Sequence, residues 1–399
     1  MSIYLDYAAS APVRPAARAA YEAALASPGN PSSIHRDGQH AKRIVDTASV
    51  ALGAAVGADP IEVVWTSGGT ESVNLGITGL FRARHHQDAR RNRIVVAEAE
   101  HHATMDTVES LATHEGAVID WVPVNAEGRI NLGALAVALR EHPDEIALVT
   151  CLWANNEVGT RQPIRDISLL CAETGVPLHV DAVAALGHDD INVAGIRRES
   201  GATGATGLVA LSLAGHKIGS VPGVGALILV REANAEAIIH GGGQQRGIRS
   251  GTLNAPAIAS MAAALEDAQD NMTQKQLQLA ELRDYAFAGI QKAIPEAVAR
   301  GCRDDRLANN VHFTFPGCQS DSLLYGLDQA GISVSAGSAC QAGVARPSHV
   351  LLAMGLGEKD AQSALRITIG PETTQADVDA FIAALPAAYA AALKAGFTA

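Results

Sequence analysis

The sequence predicts an α/β protein: a largely parallel sheet covered by helices on both faces, with a second, smaller domain. Three observations point to it. From about residue 15 to 260, short β-branched runs alternate with helix-like segments, as in strand–helix–strand crossovers. After residue 257 the pattern changes to long amphipathic helix with two isolated strand-like runs. The 399 residues, 48% hydrophobic and 18% charged, have an ordinary globular composition and ample material for buried cores.

In chain order, "EVVWT" (62–66), "RIVVAE" (93–98), "EIALVTCLW" (145–153), "PLHVD" (177–181), "GLVALSL" (207–213) and "GALILV" (225–230) read as buried strands. Helices are expected between several of them, at 71–85 and 163–175. Residues 257–294 read as one long amphipathic helix. "NNVHFTF" (309–315) and "ALRITIG" (364–370) read as strands, and the alanine-rich tail (376–395) as helix. The expected division is a large domain at 15–260 and a small one formed by 1–14 with 261–399. No internal repeat or low-complexity linker interrupts the chain.

Bulk properties exclude several classes. A net charge of −12 disfavours a nucleic-acid surface, and the basic stretch "RARHHQDARRNR" (82–93) reads as a solvated helix end and loop. The N-terminus lacks the apolar run of a secretory signal, and no run of roughly 18–20 apolar residues suggests a membrane span. Five scattered cysteines without C-x-x-C suit a reducing cytoplasm. The histidines show no H-x-x-x-H spacing, so no metal site is expected.

In a parallel α/β sheet, ligands bind beyond the carboxyl ends of the strands. Lys217 is the most informative residue there. Of 30 basic residues only six are lysines, and Lys217 is the only one between positions 43 and 274. It sits in "SLAGHKIGSVPG", an apolar strand entering a Gly/Pro turn. Arginine stays protonated, whereas a desolvated lysine can lose its proton and attack a carbonyl. "TSGGTES" is strand, glycine turn and helix start near Thr70, a cradle for phosphate without the dinucleotide fingerprint. Asp181 ends a strand, where a carboxylate either caps a helix or partners a cationic ring nitrogen. His101 and His102 follow another strand. Arg366 lies on a strand and fits a carboxylate in bidentate fashion. Cys340, in "AGSACQAG", lacks bulky neighbours and is a candidate nucleophile, unlike Cys151 in its apolar run. Together these point to a pyridoxal phosphate enzyme acting on an amino acid with a cysteine nucleophile.

Ten ordered motifs carry a resemblance: "YLDYAASAP" (4–12), "GNPSSIH" (29–35), "SGGTES" (67–72), "EHHA" (100–103), "WANNEVGT" (153–160), "HVDAV" (179–183), "AGHK" (214–217), "GGGQQRGIRSGT" (241–252), "GSAC" (337–340) and "PSHVLLAMGL" (347–356). The chain resembles the cysteine desulfurases of the class V aminotransferase group, in the branch with an extended catalytic loop. The resemblance implies the aspartate-aminotransferase-like fold (pyridoxal phosphate fold type I). That fold has a mostly parallel seven-stranded sheet and a smaller α+β domain, here carrying the cysteine loop (about 332–347), and is usually a homodimer.

The resemblance further implies that Lys217 holds pyridoxal 5'-phosphate as an imine and that Asp181 keeps its ring nitrogen protonated. His101 would stack on the ring and assist proton transfers. Gly69, Thr70 and His216 would contact the phosphate, with Thr252 reaching the neighbouring subunit's phosphate. Asn156 would contact cofactor and substrate, Arg366 would take the substrate's carboxylate, and Cys340 would accept sulfur as a persulfide. L-cysteine is then the substrate, alanine the product, and a sulfur-acceptor or scaffold protein the partner, in iron–sulfur assembly or tRNA and cofactor thiolation. Two positions depart from the family pattern. Ala184 replaces the usual glutamine that bonds the ring hydroxyl, and Ala214 replaces a phosphate-binding serine. The readings left beside desulfurase are a selenocysteine lyase or other lyase or transaminase of the family, and a sulfur-carrying scaffold with little turnover.

Overall fold

The structure is a computed structural model that describes residues 2–337 and 347–396. Its strands are β1 (Ile3–Tyr4), β2 (Val63–Thr66), β3 (Arg93–Ala97), β4 (Val118–Val122), β5 (Ile146–Leu152), β6 (Pro177–Asp181), β7 (Gly207–Ala214), β8 (Gly225–Leu229), β9 (Val298–Ala299), β10 (Asn310–Thr314), β11 (Ile332–Ser333) and β12 (Ala364–Thr368). Seven of them form the main sheet in the order β2-β8-β7-β6-β5-β3-β4. The four contacts from β7 to β4 are parallel. All seven residues of β5 and all five of β6 are buried, which is why neither run alternates with exposed residues; the polar members of β6, His179 and Asp181, are buried with the rest.

Two features go beyond the sequence reading of a mostly parallel sheet. β8 runs antiparallel between β7 and β2. Only residues 215–224 separate it from β7, and a parallel return needs a crossover of roughly a dozen residues or more. β4 has no counterpart in the sequence reading. It is the sheet's edge, with Val118 and Trp121 exposed and Asp120 paired to Arg93, so its run lacks a buried strand's composition.

The expected helix at 257–294 is two helices, Ala255–Gln269 and Met272–Ala293. Asn271, at φ 52°, breaks the run in the left-handed region that asparagine tolerates. The second helix packs with Ser320–Gln329 and Gln375–Ala395 over the antiparallel sheet β12-β10-β9. The N-terminus joins this layer, because β1 pairs with β11 and Asp6 bridges to Thr368. Leu5 lies in the same core as Val311, Phe313 and Ile367. A separate core surrounds the seven-stranded sheet. Contrary to the sequence reading, Gln375–Ala395 is long and apolar enough to cross a membrane by length and composition. Much of that apolarity is alanine, and Val378, Phe381 and Leu385 are buried in the second core.

Candidate active site

The carboxyl ends of β2, β3, β5, β6 and β7 meet β12 and the N-terminal segment around a cavity of about 530 Å³. Gly69, Thr70, His101, Asn156, Asp181, His216, Lys217 and Arg366 all line it. Eight of the ten expected site residues are therefore brought together. Thr252 lies outside this cavity, exposed ahead of the helix Ala255–Gln269. Cys340 lies outside the described residues, although Ser335 and Gly337 before it and His349 after it line the cavity.

The turn after β2 feeds the helix Gly69–Gln87, whose first turn opens into the cavity. Gly69 is required by close packing: a methyl there would fall 2.7 Å from Val183 Cγ2. Ala214, wholly buried at the end of β7, also packs toward Gly69 and does not line the cavity. Ala184 does line it.

After β3, His101 caps the helix His102–Glu115 by accepting from Ala103 N–H at Nδ1, 3.0 Å away. This bond leaves Nδ1 without a proton and puts the neutral ring's hydrogen on Nε2. Burial, reinforced by Lys217, lowers His101 to about 4, so the ring is neutral near pH 7. Beside it Glu100 is 1% exposed. It accepts from Leu152 N–H at 2.8 Å through Oε1, while Oε2 is sealed from solvent with only the Thr104 hydroxyl nearby. Burial pushes its carboxyl up to about 8. His349 Nε2 lies 2.7 Å from the Glu100 carbonyl oxygen, which ties the segment after residue 347 to the end of β3.

At the end of β5, buried Asn155 shapes the turn that presents Asn156. Its Oδ1 accepts from Glu157 and Val158 N–H at 2.9 and 3.0 Å, and its Nδ2 donates to Ala99 O at 3.0 Å. Asp181, 3% exposed at the end of β6, accepts from Val183 N–H at 2.9 Å. Burial raises it to about 6. Among the described residues it forms no ion pair, so its charge is open to a ligand. Lys217 follows β7 in a single 3-10 turn, His216–Ile218. Its ammonium donates to the carbonyls of Ala8 and Ala9, the latter at 3.1 Å, and has no carboxylate partner among the described residues. Burial, then Arg366, lowers it from 10.5 to about 8. Burial likewise lowers His216 to about 4.

Arg366 stands on β12, its Nη2 donating to Asp6 Oδ1 at 2.9 Å and its Nη1 to Asn156 O at 3.0 Å. Its Nε is buried, with no hydrogen-bond partner among the described residues. The cavity thus offers a helix N-terminus and glycine backbone for an anion, a buried carboxylate for a ring nitrogen, a depressed amine for an aldehyde, and a guanidinium for a carboxylate. That donor set fits pyridoxal phosphate carrying an amino acid. Asp6, Glu100 and His349 were missed in the sequence reading. Asp6 lies 360 positions from its partner, and only its place inside "YLDYAASAP" hinted at it.

The four described cysteines are free and buried. Burial raises the thiols of Cys151, Cys171 and Cys318, which makes them poor nucleophiles.

Comparison with known proteins agrees with this geometry. The family described as "Aminotransferase class-V" matches residues 3–381. An IscS-like cysteine desulfurase of Mycobacterium tuberculosis is 45% identical over 397 residues, spanning 99% of this chain and 98% of that one. The cysteine desulfurase IscS of Clostridium botulinum (strain Hall) is 37% identical over 360 residues, spanning 90% and 86%. The solved NifS-like protein of Rickettsia africae superposes with a TM-score of 0.85 at 28% identity, covering 98% of this chain and all of that one. With the family matching nearly end to end and the expected residues gathered in one cavity, the chain belongs to the class V aminotransferases, and within them to the cysteine desulfurases.

Proposed function

We propose that this chain removes sulfur from L-cysteine with pyridoxal 5'-phosphate held in the 530 Å³ cavity, releasing L-alanine and leaving a persulfide on Cys340. The observation that carries this reading is Lys217: a half-buried amine, depressed to about 8 and without a carboxylate partner among the described residues, on the same cavity wall as Asp181 and Arg366. Bound there, the cofactor supplies an electron sink for the substrate's carbon skeleton.

The chain's own residues supply the rest. Lys217 presents a neutral amine to hold the cofactor and afterwards a base for the substrate's α-proton. Asp181 keeps the ring nitrogen protonated, and Gly69, Thr70 and His216 receive the phosphate. Arg366 holds the substrate carboxylate with Asn156 beside it, and His101 donates from Nε2 into the cavity. The Cys340 thiolate attacks the substrate's sulfur. An S–S bond forms as the C–S bond breaks, the carbon keeps that bond's electron pair, and protonation gives alanine.

Thr252 is assigned to the phosphate site of a second subunit in a homodimer. Residues 15–260 are assigned to a large domain, and 1–14 with 261–399 to a small one. The sulfur passes from Cys340 to an acceptor or scaffold protein in the cytoplasm, in iron–sulfur assembly or thiolation. The test is reconstitution with pyridoxal phosphate, followed by alanine assay and mass spectrometry of Cys340. Lys217→Ala must lose the visible absorption band and the alanine, and Cys340→Ala must lose the alanine. Alanine production surviving in Cys340→Ala would overturn the mechanism in favour of another lyase chemistry.

A further inference from the structure

Next to the large cavity lies a second one of about 20 Å³, lined by Asn156, Ala184, His188, Lys217, Asn309 and Thr368 among others. Three of these carry polar atoms that are sealed from solvent and have no partner among the described residues: Asn156 Oδ1, His188 Nδ1 and Asn309 Oδ1. Asn309 as a whole is only 4% exposed. Three orphans around one void are not tolerated dry, because buried polar groups find partners in the protein or in ordered water. The void is large enough, since roughly 10–15 Å³ accommodates one water, which wants two to four polar partners.

The roles of the three atoms follow from the bonds around them. Asn309 Nδ2 lies 3.5 Å from His188 Nε2. The amide can only donate, so Nε2 accepts and the neutral ring carries its proton on Nδ1. Burial, with Arg14 nearby, lowers His188 to about 4, which keeps that ring neutral. The cavity therefore presents one donor, His188 Nδ1–H, and two acceptors, the Asn156 and Asn309 oxygens. A water accepts from the first, donates to the other two, and has one lone pair left. Lys217, an N–H donor, shares the rest of the polar wall with Tyr7, Asn310 and Thr368. The side chain at 184 is a methyl, which leaves the void open.

We propose that this cavity binds one water held by His188, Asn156 and Asn309, and that through it His188 is a positioning residue for the Lys217 amine. The water gives the ammonium form of Lys217 an acceptor, adding to the Ala8 and Ala9 carbonyls. It acts alongside the other groups facing that amine: Arg366, Asp6, Asp181, His101 and His216. This rests on Lys217 being the reacting amine.

The test uses crystals of the full-length chain at atomic resolution and the rate at which stripped protein regains colour with pyridoxal phosphate across pH. His188→Leu removes the donor, and Ala184→Val fills the void without touching His188. The expected result is a water peak within reach of all three orphans in the parent protein, absent from Ala184→Val. Each variant should lower the pH midpoint of colour return by about half a unit, the worth of one weak hydrogen bond. The double variant should fall no further than either single one, since both remove the same water. A dry cavity, or an unmoved midpoint in both single variants, overturns the proposal. If no chain regains colour, the Lys217 reading fails and the density alone decides the water.

Discussion

Arg366 Nη2 donates to Asp6 Oδ1 at 2.9 Å, joining the first strand segment to β12 across 360 residues of sequence. Asp6 is 19% exposed at its side chain and Arg366 only 6%. The pair holds the guanidinium in place, and its buried Nε has no hydrogen-bond partner among the described residues. Asp6 therefore aims the group assigned to the substrate's carboxylate. Asp6→Asn keeps an acceptor but removes the charge from a charge-assisted bond. KM for L-cysteine should rise roughly three- to tenfold with kcat little changed. Arg366→Lys, which loses the planar fork, should raise KM on the order of a hundredfold. Steady-state alanine production over a range of cysteine concentrations separates the two constants.

Lys217 attacks only as a neutral amine, so cofactor loading should follow its titration. With the group at about 8, the rate of colour return should climb about tenfold between pH 7 and 9 and then level. Arg366 is the second cause of the depression, so Arg366→Gln should move that midpoint upward. Stopped-flow absorbance of stripped protein mixed with pyridoxal phosphate reads both effects. A midpoint near 10 in the parent chain would mean that the amine is solvated.

Six of the seven main strands were legible because burial on both faces writes short, largely apolar runs, most clearly in β5. β4 was not, since an edge strand carrying Asp120 and exposed Trp121 has no such signature. The direction of β8 was hidden in a connection length, and the break at Asn271 in a single backbone torsion. In the site, Lys217 stood out through the scarcity of lysine around it. Asp6 and Glu100 did not, because nothing in local sequence says that a carboxylate will meet an arginine 360 positions away or be sealed between two strand ends. Pairings made by tertiary packing leave no periodicity to read.

His101 combines two roles that substitution can separate. Its Nδ1 caps the helix His102–Glu115, and its ring lines the cavity. Asparagine is a good capping residue but has no ring. His101→Asn should keep the melting temperature within about a degree or two of the parent while lowering kcat by on the order of a hundredfold. His101→Ala should lose the activity and in addition about 1 kcal/mol of stability. Calorimetry beside the alanine assay checks the split. Equal stability loss in both variants would deny the cap.

Glu100 is held against its own ionisation. Burial lifts its carboxyl from 4.5 to about 8, so the folded chain binds a proton there that the unfolded chain has released. The sign follows: this group favours folding below about pH 4.5, and the benefit is lost as pH rises toward 8. Glu100→Gln removes the ionisation and keeps the shape. Its Oε1 can still accept from Leu152 N–H, and its amide can donate to Thr104 Oγ1, which faces the Glu100 carboxyl. The variant should therefore melt roughly 2–4 °C above the parent at pH 8, with the difference vanishing near pH 4.5. Thermal melts of the stripped protein across that range test it. An unchanged or lowered melting temperature at pH 8 would mean that Glu100 is ionised in place and that the potential at the end of β3 is positive.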